Sequence, residues 1–174
     1  MISETEDNLR RIFDSGNSQG NEIPTELQVV SYFSYSNSFL SSAELLESLD
    51  PRLFMQTLHC TGQSIELALK GYILSCGETP GRIHNLIELA KKVEELGFQF
   101  EKIQESAVVL ISHYFYEDLT TNTRFKTRYP SSNEEMVGGA IPDLNEIRKM
   151  VKSLLVKSNE NCSTLNLSDY VGIT

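Results

Sequence analysis

The segment 124–129 alternates cations with aromatic rings. Arg124, Lys126 and Arg128 stand beside Phe125 and Tyr129. Guanidinium groups form forked hydrogen bonds with phosphate oxygens, and aromatic rings stack on bases. Arg124, Lys126, Arg128 and Tyr129 are therefore predicted to bind a nucleotide or RNA. The same residues would equally suit a corner at a helix end, with Arg128 bonded to the last carbonyls and Tyr129 packed below it.

A second candidate group combines Glu66, Lys70 and His84. Glu66 precedes Lys70 by four residues, the favourable order for an ion pair on one helix face. The pair is either an ordinary surface pair or, since it borders an apolar stripe, a buried pair that orients Arg128 or a ligand phosphate. His84 begins the next predicted helix, where it would contact a phosphate or base, or simply cap the helix or pack. All three residues are candidates for binding a ligand.

The other chemistry-bearing side chains favour structural roles. His59 and His113 lie on apolar helices and lack the spacing of metal ligands. The three cysteines are scattered without a Cys-x-x-Cys pair, so neither a disulfide framework nor a zinc site is indicated. The aromatic run 114–116 could stack on a base, but packing is the preferred interpretation. We expect no metal and no cofactor.

Five helices are predicted to position these residues, because apolar residues recur at helical spacing in five segments. Asp50-Pro51 is a helix start signal and Gly77 a stop signal. The predicted helices run over 25–47, from Pro51 to about Cys76, over 85–96 and 100–119, and from Pro142 to about Lys157. No strand alternation is evident, so the fold class is all-α, a four- to five-helix up-and-down bundle.

The predicted core combines residues from four of these helices. Its members are Phe54, Leu58, Ile65, Leu69, Ala107, Leu110, Ile111, Ile147, Val151 and Leu154. We also expect a homodimer, because small bundles leave apolar surface and the stretch 62–64 is small enough for close helix contact. This stretch is Gly62-Gln63-Ser64.

Length and composition indicate one folded domain. The chain has 174 residues, of which 40% are hydrophobic and 22% charged. A flexible N-terminal arm is expected over 1–24, a helical domain over 25–157 and a frayed tail over 158–174. The beginning of the chain lacks the pattern of a secretory signal and no apolar run is long enough for a membrane span. We therefore expect a cytoplasmic protein with no membrane partner.

The charge distribution limits how the chain would meet nucleic acid. A formal charge of -9 repels a phosphate backbone overall, which argues against extensive nucleic-acid coating. Residues 119–157 are the exception, with seven bases against four acids. A local basic face is therefore predicted there.

Four short motifs follow one another in a distinctive order. Glu66-Leu67-Ala68-Leu69-Lys70 lies on a helix, and His84-Asn85-Leu86-Ile87-Glu88-Leu89 starts the next one. A later aromatic helix leads to Arg128-Tyr129-Pro130, and an amphipathic helix follows. Over roughly residues 27–157 the chain resembles the HEPN family. The resemblance implies a helical bundle that tends to dimerise, found in RNases of toxin and defence systems and beside minimal nucleotidyltransferases.

The chain departs from this family in one respect. HEPN RNases resemble one another in an Arg-x(4 to 6)-His pair, which the basic segment 124–129 lacks. Elsewhere in the chain, Arg52 precedes His59 at that spacing. Within that segment the nearest approach is Arg124-x4-Tyr129, and tyrosine is a poor general base at neutral pH. The leading hypothesis is a HEPN-like domain that binds a nucleotide, RNA or a nucleotidyltransferase partner without the usual RNase chemistry. An RNase with a divergent catalytic set and a structural adaptor bundle are the alternatives.

Overall fold

The computed structural model describes residues 23–115 and 142–162. Within these ranges the chain forms five α-helices and no strand, which confirms the all-α prediction. The helices are α1 (Thr25–Leu49), α2 (Phe54–Ser75), α3 (Leu86–Glu95), α4 (Lys102–Phe115) and α5 (Leu144–Asn161), with a short 3-10 turn at Pro51–Leu53. The predicted arm before residue 23 and the tail after residue 162 lie outside the described residues.

Helix α2 is the centre of the bundle. It contacts each of the other four helices, and thirteen of its 22 residues are buried. Eight of the ten predicted core residues belong to the observed core, and Phe54 packs against it while partly buried. Leu110 is the exception, because it is only partly buried and lies outside that cluster. Burial of aliphatic side chains on all sides of α2 supplies the main stabilising free energy.

Helices α1 and α2 fit together at two points. The Ser36 hydroxyl, fully buried, donates a hydrogen bond of 2.8 Å to the backbone oxygen of Ser64. Further along, a Cβ atom placed on Gly71 would lie 3.0 Å from Cε2 of Phe33 and 3.1 Å from Cβ of Tyr32. A side chain at this position would force Phe33 or Tyr32 to shift, so glycine suits the close approach of the two helices. These two contacts set the register of α1 on α2.

The small stretch that we expected at a dimer interface is used inside the protomer. Gly62 and Ser64 are buried, and Ser64 bonds to Ser36 of α1. The prediction that residues 62–64 pair two copies of the chain is therefore wrong. A small side chain in a helix admits any close neighbour, and at Ser64 that neighbour is α1.

Helix ends follow the expected capping chemistry with small shifts. Asp50 accepts from the backbone N–H of Arg52 at 2.9 Å, and Gly77 has a φ of 79° just after α2. Helix α5 begins two residues later than predicted, because the Asp143 side chain caps it and Pro142 lies before the cap. It also ends later, at Asn161 rather than Lys157.

Candidate functional site

Two charged side chains of α2 lie inside the bundle. Glu66 is 5% exposed and Lys70 is 7% exposed, and Lys70 Nζ lies 2.8 Å from Glu66 Oε1. The helix presents them on one face because they are four residues apart. The interpretation as an ordinary surface pair is therefore wrong, and the prediction of a buried ion pair is confirmed. Charged groups of this kind are almost never buried unless they are paired.

The turn between α2 and α3 brings His84 to the same carboxylate. His84 Nδ1 lies 2.9 Å from Glu66 Oε1, although the residues are 18 positions apart, and 41% of its side chain is exposed. Capping of α3 falls instead to Asn85, whose side chain accepts from the backbone N–H groups of Ile87 and Glu88. The capping interpretation of His84 is therefore wrong. We refer to Glu66, Lys70 and His84 as the Glu66 cluster.

The geometry of the Glu66 cluster determines where its protons lie. An ionised carboxylate only accepts hydrogen bonds, so the Nδ1 atom of His84 must carry the proton that it shares with Oε1. In a neutral imidazole this leaves Nε2 as an acceptor. The ammonium of Lys70 balances the charge of Glu66 within the cluster. The arrangement thus holds the His84 ring in one tautomer, as buried carboxylates do in other histidine sites.

The second oxygen of Glu66 is unusual. Oε2 is buried, and among the described residues it has no hydrogen-bond partner. Leaving a buried acceptor unsatisfied costs about 1–3 kcal/mol, and more for a charged group. Such atoms are few in folded proteins, and each one calls for an explanation. Hydrogen bonding at the Glu66 carboxylate is thus incomplete within the described part of the chain.

Three of the seven predicted ligand-binding residues are brought together in this cluster. The other four, Arg124, Lys126, Arg128 and Tyr129, lie outside the described residues. Their proximity to the Glu66 cluster is a prediction that the structure does not test. The contact between Glu66 and His84 was missed at the sequence level, where the only signal was that both belong to consecutive motifs joined by a short turn.

The remaining candidate residues lie apart from the cluster. Tyr114 packs edge-on against Phe54 with 6.2 Å between ring centroids, and His113 packs against Tyr114. Burial raises the pKa of the Cys60 thiol, which makes it a weaker nucleophile at neutral pH. In the described ranges, no three His, Cys, Asp or Glu side chains are grouped as metal ligands, and none of the helices there is long and apolar enough to cross a membrane.

Comparison with known families fits this architecture. The family model of the HEPN domain matches residues 29–157, which is more than half of the chain and includes the whole Glu66 cluster. The protein belongs to the HEPN domain family, a class of helical domains with nucleotide- and RNA-related roles. No curated protein and no solved structure matches the chain.

Proposed function

We propose that this HEPN domain binds a nucleotide or RNA at the Glu66 cluster, with the segment 124–129 supplying cations for the phosphates. The observation that carries the proposal is the buried Glu66 carboxylate, which Lys70 and His84 share through a single oxygen. Replacing a buried ion pair by apolar residues is often neutral or stabilising. The stability of the fold therefore does not require the charged Glu66 carboxylate in the core. Ligand recognition accounts for its presence there.

The basic segment is the part of the proposal that a binding experiment tests most directly. We expect wild-type protein to bind labelled single-stranded RNA or ATP, with an affinity that falls as salt rises, because neutralised phosphates release counterions. Arg124→Ala combined with Lys126→Ala should weaken binding by about tenfold, the equivalent of about 1.4 kcal/mol. Arg128 is left in place because it is also predicted to bond helix carbonyls.

The matched control removes two cations from another exposed surface. Lys149 and Lys157 on α5 form exposed pairs with neighbouring acids, and Lys149→Ala with Lys157→Ala should leave binding unchanged. Circular dichroism first establishes that both double variants are folded. Equal binding by wild type and the Arg124, Lys126 variant would remove the segment from the site, and absence of binding by wild type would reject the proposal.

A divergent RNase is the second candidate, and one observation favours it. In many enzymes a buried carboxylate orients a partly exposed imidazole that acts as a general base. Glu66 and His84 form a pair of this kind, with 2.9 Å between Oε1 and Nδ1. In such an enzyme, His84 would take the proton of the ribose 2′-OH. Cleavage of mixed RNA that is lost in His84→Ala, and in Arg124→Ala with Arg128→Ala, would support this candidate. If wild type leaves the RNA intact, binding without cleavage is retained.

The homodimer remains a prediction, with a different surface from the one first expected. Helix α1 exposes Tyr35, Leu45 and Leu49, of which Leu49 is 67% exposed. Light scattering should give about twice the chain mass of 19.6 kDa. Leu45→Glu with Leu49→Glu should give a monomer, whereas Val156→Glu, at an exposed apolar position on α5, should not. A monomeric wild type would favour the alternative of a heterologous partner such as a minimal nucleotidyltransferase, which co-purification would test.

A further inference from the structure

The face of α1 that points away from the bundle carries almost no charge. Eleven residues of this helix are exposed, and Glu47 is the only charged residue among them. On α5, by contrast, four of the eight exposed residues are charged. Charged residues are usual on a helix face that meets water and are depleted at the centre of protein interfaces. The composition of the exposed face of α1 is therefore that of a surface in contact with protein.

Six of the exposed residues form one stripe along α1. Successive members are four and three positions apart in alternation, the spacing of side chains that meet along the seam of two packed helices. Tyr35, Leu45 and Leu49 are the large members, and they are 64%, 58% and 67% exposed. We refer to the set as the α1 stripe, which consists of Ser31, Tyr35, Ser38, Ser42, Leu45 and Leu49.

The serines of the α1 stripe can be buried at little cost. Ser31, Ser38 and Ser42 each donate a hydrogen bond to the backbone oxygen four residues earlier, at distances of 2.9, 2.9 and 2.8 Å. Covering a hydroxyl whose donor is already satisfied avoids the penalty of an unmade hydrogen bond. Because serine is small, the axis of a second helix can also come close to α1 at these positions.

The charge of the protein favours a second copy of the chain as the occupant of this stripe. The chain has a formal charge of -9, so two copies repel one another unless they meet on a surface without charge. Partners of another kind are commonly selected by complementary charge, which the α1 stripe does not offer. Two copies that meet through the same surface form a dimer with two-fold symmetry, the commonest kind of oligomer.

The order of side chains in the α1 stripe fits an antiparallel pair of helices. When the two-fold axis is level with Leu40, residues at equal distances on either side of Leu40 face each other in the dimer. Tyr35 then faces Leu45 of the partner subunit, so each large side chain meets another. Ser38 faces Ser42 of the partner subunit, which places the small side chains where the two helices are closest.

A parallel pair is less favourable because of Glu47. In a parallel pair each residue is level with its own copy, so two Glu47 carboxylates would lie beside each other and repel. In the antiparallel pair Glu47 is level with residue 33, which is Phe33 and carries no charge.

We propose that two copies of this chain pair in antiparallel orientation through the α1 stripe, with Ser38 and Ser42 at the centre and Tyr35 packed on Leu45 of the partner subunit at both ends. This inference rests on the homodimer proposed above, to which it adds the surface and the orientation. It is independent of nucleotide or RNA binding.

Disulfide crosslinking of nearly isosteric serine variants tests the orientation. A mixture of Ser38→Cys and Ser42→Cys protein, treated with a mild oxidant, should give a crosslinked dimer, and mass spectrometry should find residue 38 joined to residue 42. Ser31→Cys alone should give none, because its two copies would be about 27 Å apart along the helices. A disulfide requires Cα atoms closer than about 7 Å.

Two controls account for disulfides that form elsewhere. Wild type retains Cys60, Cys76 and Cys162 and should give no crosslinked dimer under the same oxidant. Ser153→Cys, at an exposed position of α5, should give none when mixed with Ser38→Cys. Circular dichroism establishes that each variant is folded, and light scattering that each has the same mass as wild type.

The outcomes separate this inference from the proposals on which it builds. Crosslinking of Ser31→Cys with itself would show a parallel pair and overturn the inference. A dimer by light scattering without crosslinking of residues 38 and 42 would move the interface to another surface, leaving the homodimer in place. A monomeric wild type at every concentration would reject both the inference and the homodimer, and would leave the proposed nucleotide or RNA binding untouched.

Discussion

Helices α1 and α2 are of similar length but differ in how many of their residues are buried. In α1 only five of 25 residues are buried, against thirteen of 22 in α2. The exposed serines Ser31, Ser38 and Ser42 of α1 donate to backbone oxygens four residues earlier in the same helix. In α2, by contrast, Glu66 depends on a residue beyond the helix, His84. The exposed serines of α1 are thus satisfied within their own helix, whereas the buried Glu66 of α2 is also held by another part of the chain and forms part of a site.

The largest expected effect comes from disrupting the buried pair of α2. Glu66→Leu leaves the Lys70 ammonium buried without its partner and should cost about 3–5 kcal/mol in the free energy of unfolding. Adding Lys70→Met should recover most of that loss, because an apolar pair of similar volume needs no partner. Urea unfolding measures both variants. If the double variant is as unstable as the single one, the unpaired charge of Lys70 is not the cause of the destabilisation.

An exposed pair provides the control for that prediction. Lys157 and Glu160 of α5 are more than half exposed and 2.7 Å apart. Glu160→Ala should change the unfolding free energy by less than about 1 kcal/mol. A loss comparable to that of Glu66→Leu would mean that burial does not distinguish the two pairs.

The next effect contrasts leucines of the two helices. Leu69 of α2 is fully buried, and Leu69→Ala should cost about 2–5 kcal/mol through lost burial and the cavity left behind. Leu45 of α1 is 58% exposed, and Leu45→Ala should stay within about 0.5 kcal/mol. Thermal unfolding followed by circular dichroism compares them at low protein concentration. Equal shifts in melting temperature would contradict the central position of α2.

A smaller effect is expected where the two helices approach most closely. Gly71→Ala adds a methyl group 3.0 Å from the Phe33 ring, and overpacking of this kind costs about 1–3 kcal/mol. The higher helix propensity of alanine offsets up to about 1 kcal/mol of that. Ser38→Ala, at an exposed position of α1, is the control and should be nearly neutral. A stabilised Gly71→Ala variant would show that α1 moves away easily.

The smallest effect concerns the connection between the helices. The Arg52 side chain holds the pKa of the Asp50 carboxyl below its usual value of 3.8. Because the folded-state pKa is the lower one, this contribution is present above the unfolded-state pKa and is lost as pH falls through the folded-state value. Urea midpoints measured between about pH 5 and pH 3 should therefore fall slightly more for wild type than for Asp50→Asn. Urea midpoints that fall equally with pH in wild type and in Asp50→Asn would contradict the prediction.

Local signals in the sequence were sufficient for the helices but not for all of their ends. Apolar spacing and the Asp50-Pro51 start placed α1 and α2 within a few residues. The last turn of α5 was missed because its sequence is polar. Ser158 is nevertheless fully buried and accepts a hydrogen bond of 3.1 Å from Ser75 of α2, so a tertiary contact extends the helix.

The candidate site was only partly predictable for the same reason. The spacing of Glu66 and Lys70 indicated an ion pair, but periodicity alone left its burial undecided because both residues border the apolar stripe. The contact with His84 depends on the path of the turn after Gly77, which no local rule determines. The basic segment 124–129 was the strongest compositional signal, and it lies outside the described residues, so its role stays a prediction.

The two contacts that set the register of α1 on α2 also limit how the bundle can move. Sliding α1 by one helical turn, about 5.4 Å, would separate Ser36 from Ser64. It would also bring Phe33 against a position of α2 that carries a side chain instead of Gly71. Shear between packed helices is a common response to ligands, and here it is blocked. Helices α1 and α2 should therefore behave as one rigid body.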